Sequence, residues 1–215
     1  MDRIHRNEVA PWRSGLSYRA TKRALDLTGS LLAMILLSPA LAIIAVAIWW
    51  EDPRAPILFR QRRCGLHGEP FELLKFRTMV RNADELKEQL RCQSVVPWPD
   101  FRVVNDPRVT RVGRLLRKTS LDELPQFFNV FAGQMTLVGP RPTSFAASTY
   151  ELWQTGRLDF RPGLTGPWQV WGRTSMDFER RCRLEIQFFR RRSILAELWI
   201  LLATAIAIAR RTGVT

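Results

Sequence analysis

Leu25-Asp-Leu-Thr-Gly-Ser-Leu-Leu-Ala-Met-Ile-Leu-Leu-Ser-Pro-Ala-Leu-Ala-Ile-Ile-Ala-Val-Ala-Ile-Trp-Trp50 is the stretch on which the architecture turns. It is apolar throughout, with Asp26 as its sole charge, and is long enough as a helix to cross a bilayer. Ser38-Pro39 lies near its middle. A proline there removes a backbone N–H and crowds the preceding turn, which predicts a kink or break. The flanks are basic on both sides, with Arg13, Arg19, Lys22 and Arg23 before and Arg54, Arg60, Arg62 and Arg63 after. Positive charge marks the cytoplasmic side of a membrane segment, so both ends belong on one side. A re-entrant helix–break–helix over residues 21–50 satisfies both observations, and a proline-kinked crossing helix is the alternative. A cleaved signal peptide fits poorly, because the run is too long and begins too far in. Residues 1–20 read as a basic arm lying on the membrane surface, loosened by Pro11 and Gly15.

The rest of the composition agrees with a membrane surface. The 215 residues carry 33 Lys+Arg against 20 Asp+Glu, a formal charge of +13, which calls for an anionic partner. Nucleic acid, an anionic bilayer and a phosphorylated substrate all meet that demand. Eight Trp and dense arginine favour the bilayer, since both side chains settle at headgroup level. Cys64, Cys92 and Cys182 are odd in number and widely spaced, and with only His5 and His67 they build no zinc site. Free thiols in a reducing compartment are expected.

Beyond residue 50 the pattern predicts a catalytic domain over 51–192 and an interfacial helix over 193–215. Residues 57–76 read as a β-hairpin turning at Gly65-Leu-His-Gly68, with Lys75 and Arg77 on one strand face. A charged helix follows from Arg81 to Arg91, and Trp98 is placed to rest on the membrane. After a turn at Val104–Val109 comes an amphipathic segment, its buried face Val109, Val112, Leu115 and Leu116. Residues 145–158 are helical in pattern, 161–167 are rigid loop, and 177–192 form a basic amphipathic helix. Ile194–Ala209 is apolar but short for spanning.

The chemistry concentrates between 119 and 142. Asp122 and Glu123 follow Arg111, Arg114, Arg117 and Lys118 and precede a helical pattern, Leu124, Phe127, Phe128 and Phe131, that stops at Gly133. Acids at a helix start can be a cap, and Ser120 with Glu123 fits the capping box. They can also be a reaction centre that the neighbouring cations keep ionised. Gly139-Pro-Arg-Pro142 is a stiff turn fixing one guanidinium, whose planar fork matches a phosphate. Acids, arginines and a rigid turn together suggest phosphoryl chemistry.

Ser120-Leu-Asp-Glu-Leu-Pro-Gln through Val138-Gly-Pro-Arg-Pro142 resembles the signature of the bacterial sugar transferases, small monotopic phosphoglycosyl transferases. Lys22-Arg23-Ala-Leu-Asp26, Ser38-Pro39, Phe59-Arg-Gln, Leu74-Lys-Phe-Arg-Thr-Met79, Arg161-Pro-Gly-Leu-Thr-Gly166 and Trp168-Gln-Val-Trp-Gly-Arg173 agree in the family's order. The resemblance implies a mainly α monotopic membrane protein with a short β-hairpin, an N-terminal re-entrant helical hairpin marked by Lys22, Arg23, Ser38 and Pro39, and interfacial amphipathic helices. It further implies transfer of a sugar 1-phosphate from a UDP-sugar to undecaprenyl phosphate, with release of UMP. Asp122 would be the nucleophile, and Glu123 would help to hold Mg2+ or manage protons, making the pair the metal site as well. Lys75, Arg77, Arg117 and Arg141 would contact phosphate, and Gln169, Arg173 and Glu185 the substrate. Two departures touch the donor site: Trp171 stands where the family more often has Asn or Ser, and Glu185 where it more often has Asp. The Trp168-Gln-Val-x-Gly-Arg form is similar to members handling galactose or glucose. The implied location is the cytoplasmic face of the bacterial inner membrane, beside downstream glycosyltransferases and with no nucleic-acid partner. The competing reading, a membrane-attached basic module binding lipid or nucleic acid without catalysis, gives no reason for the acids, the Gly-Pro-Arg-Pro turn and the Lys-Phe-Arg-Thr strand to occur together.

Overall fold

A computed structural model describes residues 15–94, 103–144, 146–171, 177–191 and 193–209. The expectations for Trp98, Arg173 and residues 1–14 therefore lie outside the described residues. Helix α1, Leu16–Glu51, begins inside the expected arm and is long and apolar enough to cross a membrane. It is one continuous helix, which corrects the expected interruption at Ser38-Pro39. The physical reason lies in the two residues themselves. Pro39 cannot donate to the Ile35 carbonyl one turn earlier, and the Ser38 hydroxyl donates to that carbonyl instead at 2.8 Å. The orphaned acceptor is satisfied from within the helix.

Both ends of α1 are docked while its middle is bare. Asp26, 1 % exposed, accepts from Lys22 Nζ at 2.9 Å. It also accepts from Thr136 Oγ1 at 2.7 Å and the Leu137 amide at 3.0 Å. The one charge in the apolar run is thus matched inside the protein rather than left in an apolar surround. Lys22 also pairs with Glu197 at 2.7 Å, and Tyr18 donates to that same carboxylate. Arg23 donates to the Val130 and Phe131 carbonyls at 3.0 and 2.8 Å. At the far end Ile44 and Ile48 pack with Phe76 and Leu116. Between these anchors Leu31, Leu32, Ile35, Leu36 and Ile43 are exposed.

The hairpin forms as the pattern predicts. Strands β1, Leu58–Cys64, and β2, Pro70–Phe76, pair antiparallel with Phe59 opposite Lys75. The turn carries His67 at φ 56° and Gly68 at φ 83°. Helix α2, Ala83–Gln89, and helix α3, Arg111–Thr119, follow. In α3 Leu116 is buried but Leu115 is 61 % exposed, so the expected apolar face narrows. Gly113 lets α3 press on the chain just after β2, since a Cβ there would lie 2.2 Å from the Thr78 carbonyl oxygen.

After helix α4, Gln126–Phe131, the chain forms a second sheet that the sequence pattern did not show: β3, Thr136–Val138, runs parallel to β4, Gly163–Thr165. The expected loop at 161–167 is therefore partly strand. Its tightness depends on glycine, because a Cβ on Gly163 would sit 2.0 Å from the Gly139 amide nitrogen. The expected helix over 145–158 is instead two 3-10 turns, Ala147–Thr149 and Leu152–Asp159. Helices α5, Pro167–Trp171, α6, Phe178–Arg190, and α7, Ile194–Ala209, close the chain. Leu73, Val130, Met135, Val138, Phe160, Phe189 and Ile200 form the main core. Helix α7 buries Ile200 and leaves Leu195, Leu198 and Leu202 exposed.

Candidate active site

Helix α3 ends at Ser120, whose left-handed backbone, φ 55°, turns the chain into a 3-10 turn over Leu121–Glu123 before α4. Neither acid is a cap. Ser120 makes no side-chain capping bond, and the Glu123 side chain points away from the helix end to accept from Lys75 Nζ at 2.9 Å. Arg141 adds a fork, with contacts of 2.6 and 3.3 Å to the two oxygens of the same carboxylate. Asp122, 9 % exposed, lies 3.9 Å from the same Lys75 nitrogen. Two adjacent acids thus share one lysine unequally.

Their environments push them apart. Burial raises the Asp122 carboxyl above its ordinary value; Lys75 and Arg117 oppose this and the Glu123 charge adds to it. Burial alone would raise Glu123 too, but the charges of Arg141 and Lys75, with hydrogen bonds from both, hold it far below the usual range. The cations expected to keep Asp122 ionised do pull on it, and burial works against them. Arg117 does face the acids, steadied by a 2.9 Å bond from its Nε to Thr78 Oγ1.

Several elements hold this geometry. Asn129 on α4 accepts from the Leu74 amide at 2.9 Å and donates to the Glu72 carbonyl at 2.7 Å. Those bonds hold the backbone just before Lys75 and clamp the acid-bearing segment to β2. The Arg141 turn rests on the β3–β4 pair, where the Gly139 amide donates to Thr165 at 2.9 Å and the Gly163 amide to Pro140 at 2.8 Å. From below, Glu185 accepts from the Arg141 amide at 2.9 Å, and Arg157 donates to the Arg141 carbonyl at 2.8 Å. Glu185 and Arg157 pair at 2.7 Å. Burial pushes Glu185 up, opposed by Arg157.

The expected site residues divide accordingly. Asp122, Glu123, Lys75, Arg117 and Arg141 converge. Arg77 does not: it is buried against the end of α1, donating to the Ile48 and Asp52 carbonyls at 3.0 Å each, since the chain turns inward directly after β2. Glu185 supports the Arg141 turn instead of facing the acids. The Gln169 amide donates to the Leu164 carbonyl at 3.3 Å, away from the pair. Trp171 stacks on Trp199 at 5.3 Å and meets Phe188 edge-on at 5.8 Å, so this departure fills an aromatic cluster. Lys22 and Arg23 dock α1 rather than mark a hairpin end. No site role was expected for Asn129, Arg157 or Thr78, because each acts across the fold; Thr78 alone sits in a quoted motif, the Leu74–Met79 block.

Mg2+ takes oxygen ligands, commonly one or two carboxylates plus substrate phosphate. Both Glu123 oxygens already accept from cations, so the expected paired-carboxylate metal site does not fit this arrangement and only Asp122 has oxygen to offer. Among the described residues no three His, Cys, Asp or Glu gather as a metal cluster.

A family profile described as bacterial sugar transferase matches residues 17–211. The chain belongs to the bacterial sugar transferase family. This sugar transferase is 38 % identical over 204 residues to the undecaprenyl-phosphate galactose phosphotransferase of Salmonella typhimurium, covering 92 % of the chain and 42 % of that protein. It is 40 % identical over 192 residues to the UDP-glucose:undecaprenyl-phosphate glucose-1-phosphate transferase of Caulobacter vibrioides, covering 85 % and 67 %. With the exopolysaccharide production protein ExoY of Sinorhizobium fredii it shares 36 % identity over 200 residues, covering 90 % and 87 %. The chain spans less than half the length of several curated relatives, the galactosyl transferase CpsE of Streptococcus agalactiae among them.

Proposed function

We propose that this sugar transferase moves a hexose 1-phosphate from a UDP-sugar to undecaprenyl phosphate through a covalent intermediate on Asp122. The observation that carries the proposal is the division of labour between adjacent acids. Glu123 is held by Lys75 and Arg141, while Asp122 stands at the edge of that cation cluster, raised by burial and therefore more basic than an ordinary aspartate. A carboxylate oxygen of Asp122 attacks the sugar-bearing phosphorus, forming a P–O bond to the aspartate. The bond from that phosphorus to the bridging oxygen breaks, and UMP leaves with the electron pair. An oxygen of undecaprenyl phosphate then attacks the same phosphorus, the bond to Asp122 breaks and the carboxylate is restored. Lys75 and Arg141, drawn from Glu123 toward phosphate oxygens, balance the charge on the transferring group. Mg2+ is the expected cofactor, and when bound it would supply positive charge against the donor's diphosphate.

The proposed setting is the cytoplasmic face of the bacterial inner membrane, with the bare apolar middle of α1 against the lipid. Support comes from its two docked ends and exposed apolar middle, together with the uncovered side of α7. The names of the relatives favour galactose or glucose as donor sugar and exopolysaccharide-type assembly as purpose. The test uses the full chain in detergent with Mg2+, undecaprenyl phosphate and a panel of UDP-sugars. UMP release from one donor, and a phosphosugar adduct on Asp122 when the lipid is withheld, are expected. Asp122→Asn should give neither; UMP release by that variant at the unaltered rate overturns the proposal.

A further inference from the structure

The last residue of α1 serves a different helix. The Glu51 carboxylate accepts from the Arg111 amide at 2.7 Å, and the Val112 amide lies 3.4 and 3.3 Å from its two oxygens. The first amides of a helix have no partner within it. Thr110, just before α3, satisfies one of them, its Oγ1 accepting from the Gly113 amide at 2.9 Å. Glu51, 60 residues earlier in the chain, completes the cap. The exchange runs both ways, because Arg77 donates to the Ile48 and Asp52 carbonyls at the C-terminal end of α1. A carboxylate at one helix start and a cation at the other helix end both suit the helix dipoles. Glu51 lies outside every motif that carries the family resemblance, and the chemistry above gives it no part.

Helix α3 rests on one hard point, where Gly113 meets the Thr78 backbone. At about 1.5 Å of rise per residue, the amides that Glu51 holds lie at most about 3 Å from that point along the axis, and Arg117 lies about 6 Å beyond it. A tilt that loosens the cap is therefore roughly doubled at Arg117. Leu116 packs with Ile44, Ile48 and Phe76 on that longer arm, but apolar burial is non-directional and does not fix the tilt. Nor is there slack between α3 and the acids. The Ser120 amide donates to the Arg117 carbonyl and the Glu123 amide to the Ser120 carbonyl, at 3.2 Å each, and the Leu124 amide donates to Leu121 at 3.3 Å. We infer that Glu51 is a positioning residue for the transfer step, fixing the start of α3 so that Arg117 stands against Asp122. This rests on the role proposed above for Asp122. Glu51 acts through another group rather than on the reacting atoms, so its effect falls on turnover and not on substrate affinity.

Initial rates of UMP release by the full chain in detergent, with Mg2+, undecaprenyl phosphate and a UDP-sugar that it accepts, test this. Glu51→Ala should lower kcat roughly five- to tenfold, the usual worth of a helix cap, and leave KM for both substrates within about twofold. Glu51→Gln keeps an acceptor oxygen at the same reach and should recover most of the rate. Glu51→Lys sets a cation at the helix start and should be the slowest. A double-mutant cycle then asks whether the effect passes through Arg117: in an Arg117→Met background, Glu51→Ala should cost less than about twofold. Losses that multiply in the cycle overturn the inference, as does a parent-like kcat in Glu51→Ala. Hydrogen exchange gives a reading that needs no turnover. In Glu51→Ala the amides of residues 116–124 should exchange roughly tenfold faster while those of β3 and β4 keep the parent's rates, and unchanged exchange over 116–124 also overturns it. UMP release by Asp122→Asn at the unaltered rate sinks the nucleophile reading alone, because the coupling of Glu51 to Arg117 is read on UMP whichever group attacks.

Discussion

Lys75 Nζ lies 2.9 Å from a Glu123 oxygen and 3.9 Å from one of Asp122, so a single ammonium grades two adjacent carboxylates into a matched acid and a less-matched one. A strand side chain achieves this because Asn129 fixes the backbone immediately before it, at Glu72 and Leu74. Replacing Lys75 by Met should therefore act on Asp122 through charge. Lys75 pulls the Asp122 pKa down against burial, so its loss lets that pKa rise further. In the proposed mechanism the attacking group is the carboxylate, so the acid limb of the rate profile should move to higher pH in Lys75→Met. An unmoved limb in initial-rate measurements across pH would detach Lys75 from Asp122.

Glu123 gives a stability effect of opposite sign. Its folded pKa is depressed below the ordinary 4.5, so its contribution is complete above that pH and fades as the pH falls through the folded value. Denaturant midpoints should decline on acidification below about pH 4.5 more steeply in the parent than in Glu123→Gln. The same substitution leaves Lys75 and Arg141 facing a neutral amide and should lower the rate by about a hundredfold.

The Ser38 hydroxyl and the missing Pro39 N–H form a pair that a double-mutant cycle can isolate. Ser38→Ala orphans the Ile35 carbonyl and should cost about 1–3 kcal/mol. In a Pro39→Ala background, where the amide returns, Ser38→Ala should cost almost nothing. Equal losses in the two backgrounds, read as thermal midpoints in lipid nanodiscs, would exclude the compensation.

Gly163→Ala should displace the Arg141 turn, because the new methyl would meet the Gly139 amide at 2.0 Å with backbone on both sides. A loss of several kcal/mol in stability and of nearly all turnover is expected. Parent-like activity would show that the turn tolerates separation from β4.

Much of this was legible where the signal was local. The Gly65–Gly68 turn between apolar runs announced the hairpin, and alternation placed Lys75 on a usable face. Asp122 and Glu123 had a cap as a competing local explanation, and it was the stiff Gly-Pro-Arg-Pro turn at Arg141 that pointed to phosphoryl chemistry. What stayed hidden was set by distant partners. Arg77 alternates with Lys75 in sequence but leaves the strand for the end of α1. Three residues in 161–167 pair with a strand some 27 positions earlier, beyond the reach of a pattern reading. Glu185 looked like a ligand, yet its partners are the Arg141 amide and Arg157. Ser38-Pro39 read as a breaker because proline is judged by the bond it removes, and the repair came from its neighbour.

Arg77 holds the end of α1, and its neighbour Thr78 holds Arg117, whose charge acts on Asp122. The seating of the long helix and the electrostatic surroundings of Asp122 are therefore mechanically adjacent, one residue apart along the backbone. A shift of this end of α1 would therefore reach Asp122 through two side chains, without touching a substrate.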